Sequence, residues 1–384
     1  MTAAVVVAAR RTPVGTAGRA LGVVTVDRLA AHVLRAVADD IGERAAAPVD
    51  DVVLGNCMGP GGNIARVSAL AAGLGEEVPG VTVDRQCGSG LAAVVQAAQA
   101  VVSGDARLVL AGGAESASTA PIRAHRSLEG AGEPVPYARA PFTPAEFGDP
   151  EMGEAAEALA AARHVSRDRQ DAYAAASHAR ALAAQRAGRF DAELVPLTEL
   201  GADDRPRALR ESVLARMPAA FVPGGTVTAG NSCPVSDGAA AVGVVADELR
   251  EGRPGLRVVA GATVGCDPRL PGWGPVPAVQ RVLHQAGAKM DDVAVVEIVE
   301  AFAGQVLAVT DALGLDPLGG DAARVCPDGG AIALGHPWGA TGAVCVVRLF
   351  SRLVRGGAPA GTLGLATAAV GGGMGVAALV EVVR

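Results

Sequence analysis

The chain has 384 residues, of which 50% are hydrophobic and only 3% aromatic, and it carries a formal net charge of −7. An acidic chain without a basic stripe is a poor partner for nucleic acid. Its only lysine, Lys289, lies outside any GxxxxGK[ST] pattern, so a P-loop nucleotide site is excluded.

The six cysteines form no CxxC pair and no HExxH pattern occurs, so we expect no metal site. Unpaired cysteines and a start that does not read as a secretion signal predict a cytoplasmic protein with free thiols. One uncharged run, 361–380, is long enough to cross a bilayer. Its central glycines favour a buried strand, turn and strand, so we expect no membrane partner.

Short apolar runs bounded by glycine, proline or charge alternate with longer stretches of helical character. In chain order they predict a strand at 3–9, helices at 26–41 and 89–104, a strand at 107–114, a helix at 276–287, a strand at 294–300, a helix at 340–357 and a strand at 361–369. This alternation favours a layered α/β fold.

The first and last thirds of the chain are alike, because each has a strand, a helix that begins near a reactive residue and a strand that ends in glycines. Two similar fused halves explain this pattern, and we place them at 1–250 and 251–384. Residues 119–224 differ, since they are rich in arginine and proline and contain one amphipathic helix at 166–187 with Ser166 as its N-cap. We predict that this segment is an inserted loop domain that lies over the core.

Cys87 lies in VDRQCGSG, directly after a predicted strand and at the start of a predicted helix. A helix N-terminus stabilises a thiolate, so the position predicts a lowered pKa for this thiol. Gly88 and Gly90 leave room for a substrate. The alternative is a cysteine that only fills apolar space, which the turn context argues against.

His336 lies between Gly335 and Pro337 in a loop that precedes a helix. A cysteine and a histidine that are far apart in sequence, each in a loop that begins a helix, are typical of a nucleophile and its base. The glycine cluster at 370–375 is followed by only nine residues, too few for a dinucleotide-binding unit. We interpret it as backbone N–H groups that face a developing oxyanion.

The chain resembles the thiolase family, the acyl-CoA C-acyltransferases, over essentially its whole length. Five motifs in the family's order carry the resemblance: VDRQCGSGLAAV around Cys87, GTVTAGNSCPVSDGAAAV at 225–242, VEAFAGQ at 299–305, GGAIALGHPWGATG at 329–342 and VGGGMG at 370–375.

The resemblance implies the thiolase fold, in which two similar βαβαβαββ halves form a five-layered αβαβα core, usually in homodimers or homotetramers. It implies that Cys87 takes the acyl group from an acyl-CoA or an acyl-carrier thioester, and that His336 activates the thiol. The backbone N–H groups of Cys87 and Gly371 would form an oxyanion hole, and residues 119–224 would cover the active site and the pantetheine arm. The coenzyme A thioester would be a substrate, with no permanently bound cofactor.

Two departures from the family pattern concern the second half-reaction. The family has a second cysteine that moves the proton on the α-carbon or on the leaving thiol, where this chain has Ala369. The family has an asparagine that positions a water in a second oxyanion hole, where this chain has Val299. If another group carries the proton, Glu151 and Cys326 are the candidates; the simpler interpretation makes them a solvated carboxylate and a space-filling thiol.

Three functions follow from these features. The leading expectation is an acyltransferase that loads Cys87 from acyl-CoA and passes the acyl group to a non-standard acceptor, with secondary metabolism as a natural setting. The first alternative is an ordinary acetyl-CoA C-acyltransferase, acting by thiolysis or Claisen condensation with a substitute acid–base group. The second is a non-catalytic partner subunit, against which the retained Cys87, His336 and glycine cluster argue.

Overall fold

The computed structural model describes residues 2–42, 48–127, 130 and 132–384. Its strands are β1 (Ala4–Arg11), β2 (Gly15–Thr16), β3 (Asp51–Gly55), β4 (Val81–Val83), β5 (Leu108–Ser116), β6 (Arg123–His125), β7 (Val135–Tyr137), β8 (Ser236–Ala246), β9 (Gly255–Gly265), β10 (Val293–Ile298), β11 (Leu363–Val370) and β12 (Met374–Val383). Its α-helices are α1 (Val26–Ile41), α2 (Ile64–Ala71), α3 (Ser89–Ser103), α4 (Met152–Ala162), α5 (Arg167–Arg186), α6 (Glu211–Leu214), α7 (Pro275–Ala286), α8 (Ala303–Ala312), α9 (Ala331–Leu334) and α10 (Trp338–Leu349). Within the described ranges, no helix is long and apolar enough to cross a membrane.

The main strands hydrogen-bond side by side in the order β10-β11-β12-β9-β1-β8-β5-β3-β4, with β2 added to β8. The row of strands divides into two half-sheets between β1 and β9. These two strands pair at only two positions, Val5 with Arg257 and Val6 with Leu256. One half-sheet therefore holds β1, β8, β5, β3 and β4, and the other holds β9, β12, β11 and β10. In each, parallel pairs lie beside antiparallel ones.

Helices α3 and α10 pack against each other between the two half-sheets. Helix α10 contacts β8 and β5 of the first half-sheet and β10 and β11 of the second, while α3 contacts β3 and β5 on one side and β9 and β12 on the other. Helix α1 covers β8 and β5, and α7 covers β12 and β9. The resulting order of helix, sheet, helix, sheet and helix confirms the predicted five-layered core.

Two glycines bring the backbones of α3 and α10 into contact. A Cβ atom at Gly342 would lie 2.6 Å from the backbone nitrogen of Leu91, and one at Gly90 would lie 2.7 Å from the carbonyl oxygen of Gly339. No side chain fits at either position, so the two helices approach more closely than alanine allows. Cys87 and His336 each lie within two residues of one of these helices.

The segment between β5 and β8 is held to the core by buried ion pairs. Arg11 of β1 pairs with Glu193 and Asp203, each at 2.7 Å, and all three side chains are buried. Arg348 of α10 pairs with the same Glu193. Removing one partner of such a pair leaves an uncompensated buried charge, which costs roughly 3–5 kcal/mol. These contacts fix the segment firmly on β1 and α10.

The helix predicted at 166–187 is present as α5. The Ser166 hydroxyl accepts a hydrogen bond from the backbone N–H of Arg169, which confirms the predicted N-cap. The second strand of the strand, turn and strand expected in 361–380 is present as β12. The long antiparallel strands β8 and β9 are not among the predicted elements. Strands β8 and β12 are mostly buried on both faces.

Candidate active site

Cys87 lies in a single 3₁₀ turn, Gln86–Gly88, between β4 and α3. Gln86 has a φ angle of 44°, a left-handed conformation that is strained for a residue with a side chain. Ser89 holds this turn, because its hydroxyl accepts from the backbone N–H of Arg85 at 2.7 Å and donates to the carbonyl of Gln86 at 2.6 Å. The turn thus places the thiol at a fixed point ahead of α3, as the sequence predicts.

Cys87 and His336 line one cavity of about 100 Å³, which we call the inner cavity. Its wall is largely apolar and is formed by α4, by the end of β11 and by the loops before β8 and α8. The other residues on it are Met152, Ala155, Ala156, Cys233, Pro271, Gly272, Ala301, Phe302, Gln305, Trp338, Ala369, Val370 and Gly371. Residues that are far apart in sequence therefore meet at one small space.

His336 presents a free ring nitrogen to this space. Its Nδ1 lies 2.7 Å from the hydroxyl oxygen of Thr341, and that hydroxyl donates its only hydrogen to the carbonyl of Pro337 at 2.8 Å. The Thr341 oxygen must therefore accept, which assigns the ring proton to Nδ1. The Nε2 atom is then an unprotonated acceptor, and it is buried without a partner among the described residues.

Burial lowers the pKa of His336 to about 4, so the ring is neutral at physiological pH and able to take a proton. The predicted direction of the pKa shift of the Cys87 thiol is wrong. The pKa of the Cys87 thiol is raised to about 12, chiefly by burial and to a smaller extent by the carboxylates of Glu115 and Asp84. Desolvation outweighs the helix N-terminus, so the resting pair is a thiol beside a neutral imidazole.

Glu115, buried at the end of β5, ties the loops on both sides of the site together. Its carboxylate accepts from the backbone N–H groups of Gly339 at 3.0 Å, Met58 at 3.0 Å and Cys57 at 3.1 Å. Gly339 lies three residues after His336, so this carboxylate joins the start of α10, next to His336, to the loop that follows β3.

The glycine turn between β11 and β12 lies beside the inner cavity. A Cβ atom at Gly371 would lie 2.7 Å from the ring of Phe142, and one at Gly88 would lie 2.7 Å from the Val370 side chain. Gly372 has a φ of 84°, where other residues are strained. Glycines are needed here because the turn between β11 and β12 packs closely against the Cys87 turn on one side. On the other side it packs against Phe142 of the 119–224 segment.

A second space of about 570 Å³, the outer cavity, meets the inner one at Cys87, Met152, Cys233, Phe302 and Trp338. Residues of the 119–224 segment form much of its wall, and several of them are charged. They include Arg123, Arg139, Glu151 and Glu154.

Ala369 lines the inner cavity, where its methyl group offers no proton. Val299 does not line this cavity within the described residues. It is 1% exposed, its N–H donates to the carbonyl of Thr367 at 3.0 Å, and its side chain lines a separate void of about 20 Å³ with Cys345 and Arg348. The structure thus places Ala369 at the reacting groups and Val299 behind them.

Neither suggested substitute reaches the inner cavity. Cys326 is fully buried, its sulfur lies 3.4 Å from the backbone nitrogen of Ile298, and it lines neither cavity within the described residues. This burial matches the space-filling thiol and argues against a role for Cys326 in moving the substrate's proton. Glu151 lines the outer cavity, but it is exposed, accepts from Arg139 at 3.1 Å and caps α4. Its contacts match the solvated carboxylate.

Two residues of the site were not singled out from the sequence. Cys233, within 225–242, lines both cavities. Gln305, the last residue of VEAFAGQ, is 1% exposed and lines the inner cavity, and its amide oxygen and nitrogen have no partner among the described residues. The available signal was a polar residue in the otherwise apolar start of α8.

Comparison with known proteins assigns the chain to a family. The models of the thiolase N-terminal domain and the thiolase C-terminal domain match residues 4–248 and 253–382. The chain belongs to the thiolase family. As members of this family are acyltransferases, so is this chain, and it carries out thiolase-type acyl transfer.

Several thiolases resemble it from end to end. It is 40% identical to the acetyl-CoA acetyltransferase of Shinella zoogloeoides over 402 residues, covering 99% of both chains. It is 38% identical to the beta-ketoadipyl-CoA thiolase of Acinetobacter baylyi over 406 residues, covering 99% of this chain and 100% of the other. The crystal structure of the Bacillus anthracis acetyl-CoA acetyltransferase superposes with a TM-score of 0.90 at 36% identity, covering 100% and 99% of the two chains.

Proposed function

We propose that this thiolase transfers acyl groups through a thioester on Cys87, that His336 is the base, and that acyl-CoA is the donor. The observation that carries the proposal is the free Nε2 of a neutral His336 on the same small cavity as the Cys87 thiol. Such a pair supports nucleophilic catalysis, because the base accepts the thiol proton as the sulfur attacks.

The first half-reaction follows from this geometry. The Cys87 sulfur attacks the carbonyl carbon of the donor while its proton passes to Nε2 of His336. The backbone N–H groups of Cys87 and Gly371 hold the oxygen of the tetrahedral intermediate. When the intermediate collapses, the leaving group takes the proton from the imidazolium, and the acyl group stays on Cys87.

For the second half-reaction we propose an acceptor that is itself a CoA species, as in thiolysis and Claisen condensation. The relatives named above are an acetyl-CoA acetyltransferase and a beta-ketoadipyl-CoA thiolase, which supports this choice. The size of the inner cavity, about 100 Å³, and its apolar wall favour a short acyl group. The outer cavity, with its arginines, is suited to the rest of a CoA molecule.

The methyl group of Ala369 favours a second candidate, transfer to a non-standard acceptor. An acceptor that brings its own nucleophilic oxygen or nitrogen needs no proton removed from carbon, so it does not need the missing cysteine. We also propose that the chain forms homodimers or homotetramers, which light scattering after size exclusion tests directly.

Two measurements test the proposal. Incubation with acetyl-CoA followed by intact-protein and peptide mass spectrometry should show one acetyl group on Cys87, and none in Cys87→Ala. Acetoacetyl-CoA with CoA then separates the two acceptors: loss of the acetoacetyl thioester supports the CoA acceptor, and acylation without turnover supports the other. A label on another cysteine refutes the proposal.

A further inference from the structure

Cys233 occupies the junction of the two cavities. Five residues line both cavities, and they include Cys233 and Cys87. A CoA acceptor that enters through the outer cavity and reaches acyl-Cys87 therefore passes the Cys233 side chain. The same is true of a leaving CoA enolate that departs along this route.

No other group on the inner cavity is suited to carry the second proton. Among the described residues that line it, only Cys87, Cys233 and His336 have ionisable side chains, and the first half-reaction uses two of these. The buried amide of Gln305 and Nε2 of His336 are both unpartnered there, which indicates that polar atoms of a substrate complete the cavity.

The backbone fixes Cys233 between the groups that matter. Its N–H donates to the carbonyl of Ala301 at 2.9 Å, and the preceding residue, Ser232, pairs with Phe302. Two residues later, Val235 pairs with His336. The Cys233 loop is thus joined on one side to the start of α8 and on the other to the base loop.

We propose that the Cys233 thiol is the acid–base group of the second half-reaction, in the place that Ala369 cannot fill. The inference rests on the proposed acyl thioester at Cys87. In thiolysis of a 3-oxoacyl-CoA, Cys87 adds to C3 and the C2–C3 bond breaks, with its electron pair going to C2. C2 then takes the proton of Cys233 and acetyl-CoA leaves, while the acyl group, shortened by two carbons, stays on Cys87.

The cycle closes when CoA enters. Its thiol gives its proton to the Cys233 thiolate, and its sulfur attacks the carbonyl carbon of acyl-Cys87. The Cys87 sulfur leaves and recovers its proton from the His336 imidazolium. Each group returns to its starting state, and condensation is the same sequence reversed.

The environment of Cys233 agrees with this role. Burial is the main cause that raises the pKa of the Cys233 thiol to about 12, so it is protonated and able to donate when the C2 carbanion forms.

The test measures the two half-reactions separately in Cys233→Ala and Cys233→Ser. Acetylation of Cys87 by acetyl-CoA is followed by mass spectrometry, and acetoacetyl-CoA thiolysis by loss of the thioester. The matched control is Cys266→Ala, which removes a thiol that lines neither cavity within the described residues. Cys57→Ala removes the other thiol on the outer cavity, and Cys233→Ala with Ala369→Cys returns a thiol to the inner one.

We expect Cys233→Ala to lower kcat for thiolysis on the order of 10²–10⁴-fold, with acetylation of Cys87 within about twofold of the unaltered protein. Adding Ala369→Cys to Cys233→Ala should raise kcat for thiolysis at least about tenfold above that of Cys233→Ala alone. A merely structural role of Cys233 does not explain such a recovery. Cys266→Ala should behave as the unaltered protein does.

Three results overturn the inference: full thiolysis in Cys233→Ala, a loss in Cys57→Ala but not at Cys233, or acylated protein that never performs thiolysis. Failure of the unaltered protein to acetylate Cys87 is a different result, and it refutes the proposed function instead.

Discussion

The Nδ1 atom of His336 lies 2.7 Å from the hydroxyl oxygen of Thr341, five residues further on in the first turn of α10. The same hydroxyl donates to the carbonyl of Pro337. This two-bond arrangement holds the imidazole in the tautomer that leaves Nε2 free for the thiol proton.

Replacing Thr341 tests that assignment. Valine keeps the side-chain shape and removes the acceptor, so Nδ1–H loses its partner and the other tautomer becomes accessible. We expect Thr341→Val to slow acetylation of Cys87 at least about tenfold, since a wrong tautomer in a catalytic histidine is costly. Thr341→Ser keeps the hydroxyl and should retain most of the rate. Equal rates in the valine and serine variants contradict the tautomer assignment.

The pH dependence of acetylation should report His336. With a pKa of about 4, the His336 imidazole is neutral at pH values well above 4. The acetylation rate should therefore be nearly flat above about pH 5 and should fall as the pH drops through the pKa of about 4. We expect His336→Ala to be slower near pH 7 by on the order of 10²–10⁴-fold.

In His336→Ala the reaction depends on the small thiolate fraction of Cys87, whose pKa is about 12. Its rate should therefore rise about tenfold per pH unit between neutral and alkaline pH. Rates measured by quenched mass spectrometry from pH 5 to 9 distinguish the two profiles. A steep rise in the unaltered protein argues against the histidine as base.

Ala369→Cys places a third thiol on the inner cavity, beside Cys87, Cys233 and His336. We expect it to raise acetoacetyl-CoA thiolysis about tenfold, because a positioned acid–base group contributes in the transition state. Ala369→Ser is the control, since a hydroxyl of similar size does not ionise in this range. A cysteine variant no faster than the serine variant contradicts the expectation.

Adding Val299→Asn to Ala369→Cys should bring no further gain. Val299 is buried beside a void that is separate from the inner cavity, so an amide there lacks a reacting partner. We expect this change to lower the free energy of unfolding by about 1–3 kcal/mol, measured by denaturant titration. A further increase in thiolysis shows instead that residue 299 acts on the substrate.

Gly342→Ala should separate α3 from α10. Its new Cβ would lie 2.6 Å from the Leu91 backbone nitrogen, so the helices must shift. We expect a loss of about 1–3 kcal/mol in unfolding free energy together with slower acetylation of Cys87. Gly320→Ala is the control, because a Cβ there meets no atom within 4 Å. Unchanged stability in Gly342→Ala contradicts the close contact.

Local signals in the sequence, namely glycines, helix starts and short apolar runs, predict a layered α/β fold and the positions of Cys87 and His336. The five layers are predicted by the resemblance to thiolases. The sequence misjudges the pKa of Cys87, since the burial of that thiol comes from α4, β11 and loops far away in the chain. Cys326 is near His336 in sequence, yet its sulfur lies against Ile298 in the core. Cys233 has no helix start or charge beside it, so only the fold reveals its position at the junction.

The two reacting side chains and the two substituted positions belong to different elements of the fold. Cys87 and His336 take their separation from the crossing of α3 and α10, whereas Ala369 and Val299 lie at the ends of β11 and β10. A substitution at position 369 or 299 changes a side chain at a strand end and leaves the glycines between α3 and α10 in place. Under the proposed function, a lineage can therefore change its acceptor chemistry step by step while it keeps the residues that set the distance between Cys87 and His336.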